Sequence, residues 1–447
     1  MFDNILHQNS IISRLKNDIR NSLLAPSILF SGPEYAGKGT AALELARVLG
    51  CEDETNRGNW NCTCSSCKLH RNLVSPDLLL LGKKHFYEET SAAAGAFLRQ
   101  TDNIGSKMLF IRSVRKLLVR FNNILWEDDP KLGKLRPQIE NLEEEVEDIE
   151  AYDAAENNDI TDEKLEKKCK SIIKKTAKLE SDGISALIPI NQIRKAAYWC
   201  RLAPLGKHKC VIIENAEKMQ ESAKNSLLKI LEEPPPRVTI IITSSRPTIL
   251  LPTIVSRLRE YQFARRSGEA QIELINRIFR ENVTVSDKRS VSIESYLSSF
   301  LPVKSETLYS LGAFFTASVA AAPYSKKTPI MEDLKSFASG LAHKGGLGQP
   351  AADCKNTLAK ILSLAEQFEI PGLFKRFLQQ CCNVLSSWLL YYDRDSFPGK
   401  KESMERTLCI DHWRKEFNQS LLEYETYNIS PSVVLEGLYE RLKTGMP

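Results

Sequence analysis

The chain has 447 residues, with 42% hydrophobic residues and a formal net charge of +5. That length accommodates two to four domains with a sizeable core, and the charge is too small to establish nucleic-acid binding by itself. The polar start MFDNILHQNS lacks the apolar run of a secretory signal, and no stretch approaches the roughly 20 apolar residues that span a bilayer. A cytoplasmic protein with no membrane partner is expected, and in that reducing setting eleven cysteines do not imply a disulfide framework.

In chain order, Ser27–Ser31 reads as a short apolar strand, 32–39 as a glycine-rich loop and 40–49 as a helix. Strand, glycine loop and helix in that order suit phosphate binding. The run GPEYAGKGT at 32–40 matches G-x4-G-K, with Gly32, Gly37 and Lys38 in the defining positions. Glycines let backbone N–H groups turn toward phosphate oxygens, and the helix start adds favourable partial charge. Lys38 would reach the β- and γ-phosphates. The hydroxyl that helps hold magnesium is expected next, but Gly39 stands there and Thr40 follows one place later. One helical step turns a side chain by about 100°, so Thr40 is no automatic substitute. The opposing reading is a loop that keeps its shape without ligand.

Cys51, Cys62, Cys64 and Cys67 crowd the next segment as C-x10-C-x-C-x2-C, among Asn, Gly, Ser and Thr. Thiols at such spacing suggest a structural tetrahedral zinc site. His70 competes as fourth ligand. The remaining cysteines are dispersed and read as core residues.

Leu78–Leu81 is a further apolar run. From about 107 to 180 the character changes. Leu135, Ile139, Leu142, Val146 and Ile149 step by 4,3,4,3, and Leu165, Cys169, Ile172, Thr176 and Leu179 repeat those steps. These are coiled-coil seams. Residues 138–163 hold no Lys or Arg, whereas seven Lys fall between 164 and 178. An acidic helix folded back on a basic one predicts an antiparallel hairpin projecting from the domain, with a turn at 153–161. Arg112, Arg115, Lys116 and Arg120 precede it, as a DNA-facing surface or as a solvated or packing face.

The α/β pattern then resumes. Residues 210–213 read as a buried strand ending in Glu214, which can reach magnesium through water. Asn215 stands where a water-activating carboxylate belongs, and an amide cannot accept a proton at neutral pH. A helix over 219–232 stops at three prolines, 234–236. Residues 238–243 are β-branched and strand-like, and Arg257 follows in LLPTIVSRL at 250–258. Strand signals fade beyond 264, KGGLGQP at 344–350 reads as a linker, and 351–447 is helical with a break near 393–401.

Taken in order, these residues resemble the clamp-loader subunits of bacterial DNA polymerase III, well over 1–82 and 184–263. NSLLKILEEPPP at 225–236 is similar to the family's N-A-L-L-K-x-L-E-E-P-P. SPDL at 75–78, INQIR at 190–194 and LLPTIVSR at 250–257 look like its H-P-D-L, I-D-Q-I-R and L-L-P-T-I-x-S-R-C. The resemblance implies an α/β AAA+ P-loop core over 1–263, with a zinc module at 51–67; the charged helical hairpin at about 107–180 is not part of the family's usual pattern and reads as an insertion. The resemblance further implies an all-α lid over 264–345 and an all-α collar over 351–447. The nucleotide-binding set would be Gly32, Gly37, Lys38, Gly39, Thr40 and Glu214, with zinc on the four cysteines and ATP with magnesium as the other cofactor. Arg257 would act in trans as an arginine finger.

Within the family the chain is most like delta-prime. The tau/gamma motor subunits need a complete loop and an Asp-Glu pair, and here Gly39 and Asn215 stand instead. Leu258 replaces the family's cysteine, and the middle zinc spacing is one residue shorter than the family's. The implied role is a non-hydrolysing member of a hetero-pentamer with tau/gamma and delta subunits, acting on the sliding clamp and primer–template DNA through that assembly. An active DNA-stimulated ATPase of tau/gamma type is the alternative.

Overall fold

Five short strands form one parallel sheet in the spatial order Leu78–Leu81, Lys209–Ile213, Val238–Ser244, Ser27–Ser31 and Arg259–Gln262. The computed structural model describes all residues except 56, 83–84, 153–161, 186, 285–290, 323–328, 351–352, 366–367, 369, 371, 396–399, 428 and 445–447. In chain order the elements up to the third strand are α1 (Asn9–Arg20), β1 (Ser27–Ser31), α2 (Lys38–Gly50), α3 (Ser65–Arg71), β2 (Leu78–Leu81), α4 (Phe86–Arg99), α5 (Ile104–Leu118), α6 (Pro130–Ala151), α7 (Asp162–Gly183), α8 (Ile190–Arg201) and β3 (Lys209–Ile213). There follow α9 (Glu221–Glu232), β4 (Val238–Ser244), α10 (Pro252–Val255), β5 (Arg259–Gln262), α11 (Gly268–Phe279) and α12 (Ile293–Ser298). The mostly helical chain with a parallel five-stranded sheet fits the expected α/β AAA+-like class.

Every residue of β1 to β4 is buried, as a parallel sheet covered on both faces requires. The two-residue side-chain period sorts the strands' apolar residues into two cores. Ile28, Phe30, Leu78, Leu80, Cys210, Ile212 and Ile241 face α1 and α2. Leu29, Leu79, Leu81, Val211, Ile213, Ile240 and Ile242 face the other helical layer. In β5 only Tyr261 is buried, which explains why REYQ carries no strand signal in the sequence.

Helices α6 and α7 pack on one another as the paired seams predict. Leu135, Leu142, Val146 and Ile149 are buried on one, and Leu165, Cys169, Ile172, Thr176 and Leu179 on the other. Lys168 pairs with Asp148 at 2.6 Å and Lys175 with Glu145 at 2.7 Å, while Gln138 meets Asp182 at 3.3 Å. Partner numbers fall on α6 as they rise on α7, so the pair is antiparallel. The expected turn at 153–161 lies outside the described residues. Instead of simply projecting, the hairpin is docked, because its seam residues join the apolar core on one face of the sheet. Polar contacts reinforce this. Lys107 Nζ donates to Glu150 O and Tyr152 O at 3.0 and 2.8 Å, and the Phe86 N–H donates to a Glu180 oxygen at 3.0 Å.

The chain divides into two compact units, Met1–Leu297 and Ser298–Pro447. The second is all helical, with α13 (Ser305–Ala320), α14 (Pro329–Lys344), α15 (Cys354–Leu364), α16 (Leu373–Asp395), α17 (Lys400–Tyr427) and α18 (Pro431–Thr444). Helix α13 is buried almost all round, which accounts for its low polarity. Gly312 on it lies where a Cβ would come within 3.1 Å of the Cys381 backbone, and the Tyr439 hydroxyl donates to Ser318 O at 3.2 Å. The division falls inside the 264–345 segment, since α13 and α14 pack with α16. The residues joining α16 to α17, 396–399, are outside the described set. Among the described residues no helix is long and apolar enough to cross a membrane.

The seam generates a test. Ile172 is fully buried, so Ile172→Ala should cost about 2–5 kcal/mol and lower the urea midpoint. Lys167→Ala, at an exposed pair with Glu163, should leave that midpoint unchanged.

Candidate nucleotide and metal sites

The glycine loop leaves the carboxyl end of β1, a central strand, and enters α2. Gly32 has φ +132°, and a Cβ there would sit 2.4 Å from Phe263 O. Gly37 has φ +95° and caps α2 in the left-handed region. Both positions therefore require glycine. Lys38 opens the helix and is buried, its ammonium donating to Gly32 O and Pro33 O, both at 2.6 Å. Burial lowers its pKa, opposed by the charges of Glu217, Glu34 and Glu214. The next residue, Gly39, presents its missing side chain to Glu214, for a Cβ there would lie 2.4 Å from Glu214 Oε1. Thr40, one helical step further, is exposed.

The other Glu214 oxygen pairs with Arg120, which is itself buried. Arg120 lies in a short 3-10 turn after α5. Its Nε donates to Gly82 O at 2.9 Å, its Nη1 to Lys116 O, and its guanidinium carbon stands 4.7 Å over the Phe86 ring. Asn215 adopts a left-handed conformation with φ 54°, and its N–H donates to Thr243 Oγ1 at 3.2 Å. Glu217 accepts from Ser245 Oγ at 2.6 Å. Burial raises the Glu217 pKa, but the Ser245 and Ser244 hydrogen bonds outweigh burial and hold it below the ordinary value.

Two side chains missed in the sequence cover the loop. Gln8 donates to Ala36 O at 3.2 Å and to Ala264 O at 2.9 Å, and accepts from the Ala264 N–H at 3.1 Å. Arg266 donates to Tyr35 O at 2.5 Å and to Leu6 O at 3.2 Å, and burial lowers its pKa. Neither carries a motif. Both are set by long-range folding between residues 6–8 and 264–266.

The remaining three cations before the hairpin also turn onto protein. Arg112 donates to Arg71 O, Arg115 pairs with Glu150 and Lys116 with Glu89. Of the readings left open for them, the packing face is the one observed.

At the far end of α2, the Sγ atoms of Cys51, Cys62, Cys64 and Cys67 all lie within 4.8 Å of one another. The Cys51–Cys62 separation is 3.7 Å. Thiolates around tetrahedral zinc at about 2.3 Å would stand about 3.8 Å apart, so the donor set fits that ion. The Gly58 N–H donates to Cys51 Sγ and the Cys67 N–H to Cys64 Sγ, both at 3.4 Å. Arg47 Nη1 donates to Cys67 Sγ at 3.1 Å while its other donors grip Glu44. Burial pushes the Cys64 thiol up, but the Cys67 and Glu52 backbone N–H groups and neighbouring thiols bring it down to about 7. His70 is not in this group. Its Nε2 lies 3.3 Å from Ser75 Oγ, and burial lowers its pKa to about 4.

Arg257 follows α10 at the surface, one-third exposed. Its Nη1 donates to Thr253 O and its Nη2 to Glu232 Oε1, both at 2.7 Å. Glu232 belongs to the LEEPPP segment, so two stretches of the sequence resemblance meet here.

Phosphates suit the loop and Lys38. A magnesium ion does not suit this arrangement. It demands near-octahedral oxygen ligands, whereas Gly39 offers no hydroxyl and Glu214 is already paired with a buried cation. A test follows: Gly39→Thr must displace the Glu214–Arg120 pair and should destabilise by about 1–3 kcal/mol. A double-mutant cycle with Glu214→Ala should show the combined cost well below additive.

A sequence profile for the family described as DNA polymerase III, delta subunit, matches residues 7–127 and 138–267, more than half of the chain. The DNA polymerase III subunit delta' of Pseudomonas aeruginosa is 31% identical over 274 residues, covering 58% of this chain and 74% of that protein. The delta' subunit of Buchnera aphidicola is 30% identical over 114 residues, 25% of this chain and 33% of its own length. The gamma/tau subunit of Mycobacterium tuberculosis is 33% identical over 98 residues, 22% of this chain and 16% of its own.

Proposed function

The chain belongs to the bacterial DNA polymerase III clamp-loader family and is delta-prime-like within it, and we propose that it serves that loader as a non-hydrolysing subunit. The observation that carries this reading is the end of β3. Glu214 is neutralised by Arg120, and an amide at Asn215 replaces the proton acceptor that water activation needs. Lys38, with Gly32 and Gly37, remains as a phosphate cradle, so nucleotide would be retained for shape and not consumed. The tau/gamma-type ATPase reading is disfavoured by the same two residues.

In this reading the chain works on another subunit's nucleotide. Arg257 is surface-placed and, among the described residues, held by Glu232 and the Thr253 backbone oxygen. On docking to a tau/gamma neighbour it would exchange Glu232 for that neighbour's γ-phosphate and stabilise the charge that builds up in transfer. The partners are tau/gamma and delta subunits in a hetero-pentamer, with the sliding clamp and primer–template DNA engaged through the assembly. The helices beyond residue 264 would supply lid and collar, with α13 and α14 in the same unit as the collar helix α16. Cys51, Cys62, Cys64 and Cys67 would hold zinc, which with four protein ligands supplies a structural cross-link.

Arg257→Ala should leave the chain folded by circular dichroism and slow hydrolysis at one site of the reconstituted loader, where a finger is worth about 10³–10⁵-fold. Full loader ATPase with this variant would remove the assignment. Sustained ATP turnover by the isolated chain with primed DNA would overturn the non-hydrolysing role. Metal analysis should find one zinc per chain, and a stable zinc-free protein would refute the four-cysteine site.

A further inference from the structure

We propose that Arg120 is the resident cation of the Glu214 site: its guanidinium stands in for a divalent ion and makes this loop independent of metal. This role of Arg120 does not depend on Arg257 or on assembly, so either can fail without the other.

Three features converge. The first is the fit of the cation. Arg120 is 3% exposed and its partner carboxylate 13%. Each of its three nitrogens has an acceptor, namely Gly82 O for Nε, Lys116 O for Nη1 and Glu214 Oε2 for Nη2. A planar guanidinium with each nitrogen engaged in this way is a built position and not a passing surface contact. The second is the backbone around it. Gly82 has φ +111°, and a Cβ there would come within 2.1 Å of Glu214 O. Its carbonyl can therefore face Arg120 only because position 82 is glycine. The turn carrying Arg120 is fixed in its turn by Trp126, whose indole N–H donates to Arg120 O at 2.7 Å and whose ring stacks on Phe121 at 5.3 Å.

The third is the other carboxylate oxygen. Glu214 Oε1 points at position 39, where only glycine leaves room for it. A metal at this carboxylate would need oxygen ligands from both sides. One side holds a guanidinium and the other no hydroxyl. Glu180 and Glu89 lie near enough to add negative potential at Arg120. Replacing Arg120 by a neutral side chain would leave the Glu214 carboxylate without its cation and open the guanidinium's side of it to a hydrated divalent ion, whose waters would supply the oxygens that position 39 lacks.

The probe is Mn²⁺ alone, followed by electron paramagnetic resonance on the zinc-loaded full-length chain. The unaltered chain should bind no Mn²⁺ in a Glu214-dependent manner up to about 1 mM, a weak-site scale. Arg120→Met should gain one Mn²⁺ with at least tenfold tighter binding, and Arg120→Met combined with Glu214→Gln should lose it. Mn²⁺ bound by the unaltered chain and lost in Glu214→Gln would overturn the proposal, and that comparison does not need Arg120→Met to fold. A folded Arg120→Met that gains no Mn²⁺ would overturn it too.

Discussion

A buried ion pair between Arg120 and Glu214 fixes the carboxyl edge of the sheet. Taking two charges out of water is costly, and the cost is recovered only where the geometry is good and every remaining donor is met. Here the backbone oxygens of Gly82 and Lys116 accept from Nε and Nη1, and the Phe86 face lies under the guanidinium. Removing one partner of such a pair typically costs about 3–5 kcal/mol. The contact joins four pieces distant in sequence: the end of β3, the residue after β2, the turn after α5 and the first turn of α2. The position of the phosphate loop thus depends on a segment that follows the sheet's second strand by nearly forty residues.

The parallel sheet makes that convergence possible. With β1 between β4 and β5, the loops after β1, β2 and β3 leave from the same edge, where ligands gather in open α/β sheets. The docked hairpin then covers one face. Its seam residues share a core with Leu79, Val211 and Ile240, so the helices that bring Arg120 inward are held by the apolar layer beneath them. The cysteine cluster acts at the other end of α2. Lys38 begins that helix, and Arg47 near its end links Glu44 to Cys67, so a cross-linked cysteine module would brace the helix that carries the loop lysine.

The sequence was most readable where one local pattern decides the outcome. The strand at Ser27–Ser31, the glycine loop and the two hairpin seams all follow from spacing within a few residues. The cysteines gathered as their crowding suggested, with His70 turned to Ser75. It was least readable where the deciding contact is distant. β5 carries a single apolar residue, and its strand exists because Phe30 and Ser31 pair with Tyr261 and Gln262. Gln8 and Arg266 look like ordinary polar residues until the chain folds across more than 250 positions. Arg120 was one of four cations with no feature to separate it. Only the approach of Glu214 gives it a distinct role.

The same approach changes the meaning of Gly39. Judged by motif alone, this glycine is a lost hydroxyl. In the structure it is the space that Glu214 occupies while bound to Arg120. A hydroxyl at 39 and a guanidinium at 120 therefore compete for one carboxylate. A site built for turnover needs a cation that arrives and leaves with its phosphates, which suits a hydrated ion and not a tethered side chain. An arginine fixed by two backbone oxygens and an aromatic ring gives the opposite property, a constant charge and a constant shape. That constancy is what the proposed non-hydrolysing role would require of the loop.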